Sequence, residues 1–355
     1  MIQAKFILNN YIDGKFIKTN RKAGNATYFY KNGKQYLVTR ETDYVYGVMP
    51  NGLIKMYLEN DGTNIIHSDE ALHEINGTNG TFIKYLTRTV PRTNNDYGFE
   101  DPRCINWNGK QYIMFNRRNL RNFSNVQMHI GEIDDNLNYV NDRTLPNLIQ
   151  VEKNWQPIEA MPGECVYSYK PFKIINVFTG KFKEIPNSSP IDFRGSSQIV
   201  KFGEYNLGIV HQRNYMFEYM HHLILFDKNL KILKISDPFS FFGANVEFVA
   251  HAEYDKELKI LVNVHDQIIY EFSLTEEIIK NILDKKYTNI KKENKIFTRF
   301  YNDAISNENV FGALGIATFS KDLDVIYDAV QRNHNKNYFR GLQQGLQEVL
   351  IRNTK

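Results

Sequence analysis

The chain has 355 residues, with 44 Lys and Arg against 40 Asp and Glu, for a formal net charge of +4. So small an excess argues against a dedicated nucleic-acid protein, which would carry a basic stripe, and leaves room for small anions such as phosphate. The length allows one large core or two medium ones, and 22 Tyr and 24 Phe favour strands.

In chain order, the segment Met1–Phe6 is too polar for a signal peptide. No apolar run approaches the ~18–20 residues of a membrane span, so no integral membrane segment is expected. The peptide Asn-Gly-Lys-Gln-Tyr occurs twice, at Asn32–Tyr36 and Asn108–Tyr112. Asn-Gly between apolar runs signals a β-hairpin, because both central residues of a type I′ turn need positive φ. In each copy an apolar run follows the turn and ends in a polar cluster, at Arg40 and at Asn116-Arg117. Weaker copies turn at Pro162-Gly163, Gly203-Glu204 and Asp255-Lys256, and their strands run towards Lys170, His211 and Asp266. Repeated hairpins at uneven intervals predict an all-β fold, a five-bladed β-propeller whose polar strand ends converge on the axis. An ordinary β-sandwich is the alternative. Cys104 and Cys165 make no disulfide framework and read as reduced thiols, which suits a cytoplasmic protein.

The pattern changes near Thr275, where Glu276, Glu277 and a spaced apolar set predict a capped helix. Further helical patterns follow at Leu323–Val330 and Tyr338–Ile351. The chain therefore divides into a propeller over 1–273 and a helical C-terminal extension over 274–355. The extension is expected to pack on the propeller or on a second copy, as a homo-oligomer.

Three clusters carry candidate chemistry. Gly98-Phe99-Glu100-Asp101-Pro102-Arg103 gathers two carboxylates and a guanidinium, and Pro102 keeps Asp101 out of helix. A carboxyl so placed is held ionised by the arginine or, beside an apolar or acidic neighbour, serves as an acid. Lys153-Asn154-Trp155 combines a cation, an amide and a large aromatic face, which suits a sugar or sugar phosphate. Arg194, His211 and Tyr219 could together bind an anion. His221 and His222 are adjacent and would point to opposite faces of a strand, and no Cys/His spacing suits zinc, so no metal is expected.

The Gly-Phe-Glu-Asp-Pro-Arg segment resembles the Gly-x-Glu-Asp-Pro-Arg motif of family 130 of the glycoside hydrolases, five-bladed propellers that phosphorolyse or hydrolyse β-mannosides. Glycosyltransferase family 108 shares that fold. The resemblance spans roughly residues 25–270. It implies that Asp101 is the catalytic acid, and that Lys153, His211 and Tyr219, with Arg194, face phosphate. Asn25, Arg40, Glu100, Arg103, Asn154, Trp155 and Asp266 would hold the sugar. Arg117, Arg118, Arg194 and Arg213 are candidates for a further phosphate-binding arginine.

The implied chemistry is inverting glycosyl transfer, with one protein acid and the other face of the sugar open to a nucleophile. Inorganic phosphate or a nucleotide sugar is then a co-substrate, and no further cofactor is required. The favoured expectation is mannosyl transfer from a sugar nucleotide or sugar 1-phosphate to a glycan. Phosphorolysis or hydrolysis of a β-mannoside is the close alternative, and a non-catalytic glycan-binding propeller is another.

Overall fold

The computed structural model describes residues 3–7, 22–42, 44–48, 54–58, 68–77, 79–87, 96–119, 125–146, 149, 151–186, 189–213, 219–241, 246–264, 266 and 268–284. These residues form antiparallel sheets and one short helix. Of the predicted extension, the patterns at Leu323–Val330 and Tyr338–Ile351 lie outside the described residues.

The strands follow the chain in hairpin-linked units. After β1 (Gln3–Ile7) come β2 (Lys22–Lys31), β3 (Lys34–Thr42), a small hairpin of β4 (Tyr44–Val48) and β5 (Ile54–Leu58), then β6 (Ser68–Asn76) and β7 (Asn79–Tyr85). Strands β2, β3, β6 and β7 pair in that order as the first unit. The second unit is β8 (Asp96–Trp107), β9 (Lys110–Asn119), β10 (Val126–Ile133) and β11 (Tyr139–Thr144). A parallel pair, Ser68↔Gly98, joins the two units into one sheet. The next unit is β12 (Gln156–Pro157), β13 (Glu164–Tyr169), β14 (Phe172–Asn176) and β15 (Phe182–Glu184). It is followed by β16 (Arg194–Gly195) and β17 (Val200–Phe202), both paired to β18 (Tyr205–Arg213), then β19 (Tyr219–Phe226) and β20 (Ile232–Ile235). The last unit is β21 (Glu247–Tyr254), β22 (Leu258–Val264) and β23 (Ile268–Leu274), completed by β1 in the register Gln3↔Ser273 to Ile7↔Ile269.

Both Asn-Gly turns have the backbone their sequence dictates. Asn32 and Gly33 have φ of 52° and 73°, and Asn108 and Gly109 have 49° and 73°, the positive pair that matches the strand twist. Neighbouring units then meet through their inner strands, and contacts run β2 to β8, β8 to β12, β13 to β16, β17 to β21 and back to β2. This cyclic order is propeller-like, and the apolar cores lie between successive units. Phe29, Val38, Phe99 and Phe115 fill the seam of the first and second units, and Trp155, Cys165, Met114 and Ile130 the next. Tyr28 and Leu37 pack against Leu261 and Ile269 where the first unit meets the last. Each such buried side chain contributes roughly 1.5–3 kcal/mol relative to exposure.

Helix α1 (Glu276–Leu283) begins where the sequence predicts. The Thr275 side chain accepts the Ile278 amide, Glu276 and Glu277 sit in the first turn, and Ile278, Ile279, Ile282 and Leu283 are buried. It packs on β19 and β23. No described helix is long and apolar enough to cross a membrane.

Candidate active site

The inner strands leave regular geometry where the sequence places its candidate residues. On β2 the register with β3 shifts between Gly24 and Ala26, so Asn25 is an extra residue, at φ 38°. On β8 it shifts between Glu100 and Arg103, leaving Asp101 at φ 54°. Asn154, just before β12, has φ 62°, and Asp266, between β22 and β23, has φ 57°. Asn and Asp tolerate this left-handed region better than other side chains, and a bulge re-aims the residue it carries.

Three of these four residues meet. Asn25 Nδ2 donates to Asp101 Oδ1 at 2.6 Å and lies 3.4 Å from Asp266 Oδ1. Asn116 Nδ2 donates to Asp101 Oδ2 at 3.0 Å, so each oxygen of the half-buried Asp101 carboxyl has an amide donor. Asn263 Nδ2 holds Asp266 Oδ1 at 3.0 Å. Close backbone approach makes this convergence possible. A Cβ on Gly24 would lie 2.5 Å from the Asp266 carbonyl carbon, and one on Gly98 would lie 2.0 Å from the Ser68 carbonyl oxygen. At these positions glycine is required by space.

Beneath the three lies a buried ionic cluster. Arg40, 3% exposed, donates from Nη2 to Glu100 Oε1 at 2.8 Å, from Nε to Ser68 Oγ at 2.9 Å and from Nη1 to Asp266 Oδ2 at 3.4 Å. Arg118 Nη2 faces the other Glu100 oxygen at 3.7 Å. With its charge and several donors matched, Arg40 fixes the orientation of two carboxylates at once.

A cationic side adjoins Asp101. Burial pushes the Lys153 ammonium below its usual range; Asp101 and Glu100 oppose that shift, whereas Arg118 and Arg194 reinforce it. Arg194 is exposed and pairs in register with His211. His211 is 2% exposed, with Nδ1 2.8 Å from Ser196 Oγ and its ring stacked on Tyr219 at 5.2 Å. Burial, then His221, Arg194, Arg103 and Lys153, hold His211 well below the ordinary imidazole range. His211 is therefore a neutral group and adds no charge for an anion. Burial raises the Tyr219 hydroxyl, which stays protonated. His221 and His222 do point apart: His221 Nε2 is 3.2 Å from Glu247 Oε1, while His222 Nδ1 donates to the Ser236 carbonyl at 3.0 Å.

The structure corrects four expectations. Trp155 offers no face to a sugar: it is 1% exposed, donates from Nε1 to Glu152 Oε2 at 3.1 Å and packs edge-on to Tyr167. Arg103, 1% exposed, is a strut. It donates from Nη1 to the Asp101 carbonyl at 2.8 Å and from Nε to the Ser196 carbonyl at 3.1 Å, and lies 5.4 Å over the Phe248 ring. Arg117 lies 5.1 Å over the Phe99 ring, on the opposite strand face from Asn116. Lys170 is exposed and bonds the Pro190 carbonyl, away from the cluster.

Asn263 and Ser68 were not among the sequence candidates, and Asn116 and Ser196 stood in the candidate clusters of Arg117 and Arg194 without a role of their own. For Asn116 a signal existed: aligning the two Asn-Gly-Lys-Gln-Tyr copies places it at the position of Arg40.

No family model matches the chain, and no curated protein is similar to it in sequence. Solved structures are similar in fold. A β-1,2-mannobiose phosphorylase from Listeria innocua is 15% identical, over 74% of this chain and 92% of that one, with a TM-score of 0.53. A mannose phosphorylase from Leishmania mexicana, in complex with phosphate ion, is 12% identical over 82% and 93%, with a TM-score of 0.51. A glycosyl hydrolase from Bacteroides ovatus is 11% identical over 72% and 85%, with a TM-score of 0.52. The chain shares the fold of these mannoside phosphorylases and glycoside hydrolases.

Proposed function

We propose that the chain is a carbohydrate-active enzyme, a five-bladed propeller that transfers a glycosyl group between a sugar hydroxyl and phosphate with inversion. The observation that carries the reading is a half-buried carboxyl, Asp101, held by Asn25 and Asn116 beside the cationic side formed by Lys153, Arg118 and Arg194. In phosphorolysis Asp101 gives its proton to the departing glycosidic oxygen while a phosphate oxygen attacks the anomeric carbon from the opposite face. The nucleophile is already an anion, so no protein base is needed, and Lys153 and the arginines hold its charge. In the synthetic direction Asp101 takes the proton of the acceptor hydroxyl as the bond from the anomeric carbon to phosphate oxygen breaks. Asn25 and Asp266 adjoin Asp101 and are assigned to sugar hydroxyls, with Arg40 and Glu100 as their support.

The substrates named for the structural neighbours make mannosides the first to test. Incubation with β-1,2-mannobiose and inorganic phosphate should release a sugar 1-phosphate. Incubation of a mannoside acceptor with mannose 1-phosphate should lengthen it, and GDP-mannose in parallel tests a nucleotide donor. Asp101→Asn should lower turnover by about 10²–10⁴-fold while sparing sugar binding. Undiminished turnover in that variant would remove Asp101 from the mechanism, and absence of turnover with every donor would favour a binding role.

A further inference from the structure

A cavity of about 290 Å³ lies at the other end of the same inner strands. It is lined from Tyr30 on β2, Asn106 on β8, Pro157 on β12, Gln198 between β16 and β17, and His251 and Glu253 on β21. The lining residues nearest the Asp101 site along these strands, Tyr28 and Cys104, lie three residues from Asn25 and Asp101, roughly 10 Å at 3.4 Å per residue, so this cavity is separate from that site. Its charge is also opposite. Glu159, Glu164 and Glu253 contribute carboxylates, and no lysine or arginine is among the lining residues described. An anionic ligand is therefore disfavoured.

His251 defines what the cavity lacks. It is 3% exposed. The Ala252 amide donates to Gln198 Oε1 at 3.3 Å, which turns Gln198 Nε2 towards His251 Nδ1 at 3.2 Å. Nδ1 then accepts, from Gln198 and from the Thr27 hydroxyl at 3.1 Å, which places the ring proton on Nε2. Glu253 Oε2 is 3.8 Å from Nε2, beyond hydrogen-bond reach, and the buried Nε2 has no partner among the described residues. Glu164 Oε2 is likewise buried without a partner. Although burial pushes the Glu253 carboxyl up, it is held below its usual range, with the Tyr30 hydroxyl donating to its oxygens at 3.1 and 3.0 Å and Lys259 Nζ 3.5 Å from Oε1.

An unfilled donor thus faces an ionised acceptor across a gap too wide for direct contact. One hydroxyl oxygen closes it, accepting from Nε2–H and donating to Glu253. An ammonium cannot accept from the histidine, and an ionised phosphate oxygen cannot donate to the carboxylate. The rings of Tyr30, which is 55% exposed, and Tyr254 supply aromatic surface beside these polar groups.

We propose that this cavity binds a neutral saccharide or polyol, at a site distinct from Asp101. The site stands on its own geometry and does not depend on the proposed reaction. Asp101→Asn protein, in which any turnover should be slowed, is titrated calorimetrically with β-1,2-mannobiose, cellobiose and glycerol, then with inorganic phosphate and spermidine. At least one neutral ligand should bind with an affinity that falls tenfold or more in Glu253→Gln and in Tyr30→Ala. Both substitutions, made in the otherwise unaltered chain, should leave phosphate-dependent turnover unchanged. Because Tyr30 is exposed, Tyr30→Ala keeps the test valid if Glu253→Gln fails to fold. Neutral-ligand binding that is absent, or indifferent to both substitutions, overturns the proposal. So does binding of phosphate or spermidine in place of the neutral compounds.

Discussion

The two ends of strands β2 and β8 are built by opposite local devices. At one end each strand leaves through an Asn-Gly turn with two left-handed residues in open space, and a Cβ added to Gly33 or Gly109 would meet nothing within 4 Å. At the other end each strand carries a bulge whose left-handed residue is Asn25 or Asp101, packed against another unit. The same backbone region is thus used twice, once to reverse the chain and once to aim a side chain. The turn end needs only its own residues, whereas the bulged end needs its neighbours to stay in place.

Substitutions at each end should expose that difference, and the largest loss is expected at the bulged end. Arg40→Ala leaves Glu100 and Asp266 buried without their shared cation and should cost about 3–5 kcal/mol in guanidinium unfolding. Gly98→Ala combines φ of +106° with a contact 2.0 Å from the Ser68 carbonyl oxygen. It should cost about 2–4 kcal/mol and also lower turnover.

Acid comes next. Burial pushes His73 from 6.5 down to about 3. Between those values the unfolded chain takes a proton that the folded chain refuses, so stability should fall as pH drops below 6.5. The slope from this residue should approach about 1.4 kcal/mol per pH unit. His211 and His222 are also lowered and act with the same sign. His73→Gln should flatten the pH dependence of the unfolding midpoint, and an unchanged slope would count against His73.

The smallest effect belongs to the turn end. Gly33→Ala should cost about 1–2 kcal/mol from its backbone alone. Turnover should not change, and a loss comparable to that of Gly98→Ala would erase the contrast between the ends.

The same contrast explains what could be read in advance. Asn32-Gly33 and Asn108-Gly109 encode their turns locally, as do Thr275 and Glu276 for the start of α1. Pro102 marks the irregularity at Asp101, and Gly24 is the local mark beside Asn25, but the Asp266 backbone that Gly24 must clear lies far along the chain. Register is similarly non-local. The shifts at Asp96/Gly98 and Glu100/Arg103 decide which β9 residues oppose Glu100, so Asn116 faces Asp101 while the more conspicuous Arg117 lies over Phe99. Trp155 was misplaced because residue type suits equally a sugar platform and a core, and burial between units decided for the core.

The central claim is that Asp101 moves the proton in glycosyl transfer to or from phosphate. Its most direct test is phosphate-dependent release of sugar 1-phosphate from β-1,2-mannobiose, measured for the unaltered chain and for Asp101→Asn, with sugar binding followed alongside by calorimetry. Turnover reduced by about 10²–10⁴-fold with binding retained is the predicted result. Turnover equal in the two proteins would contradict the account.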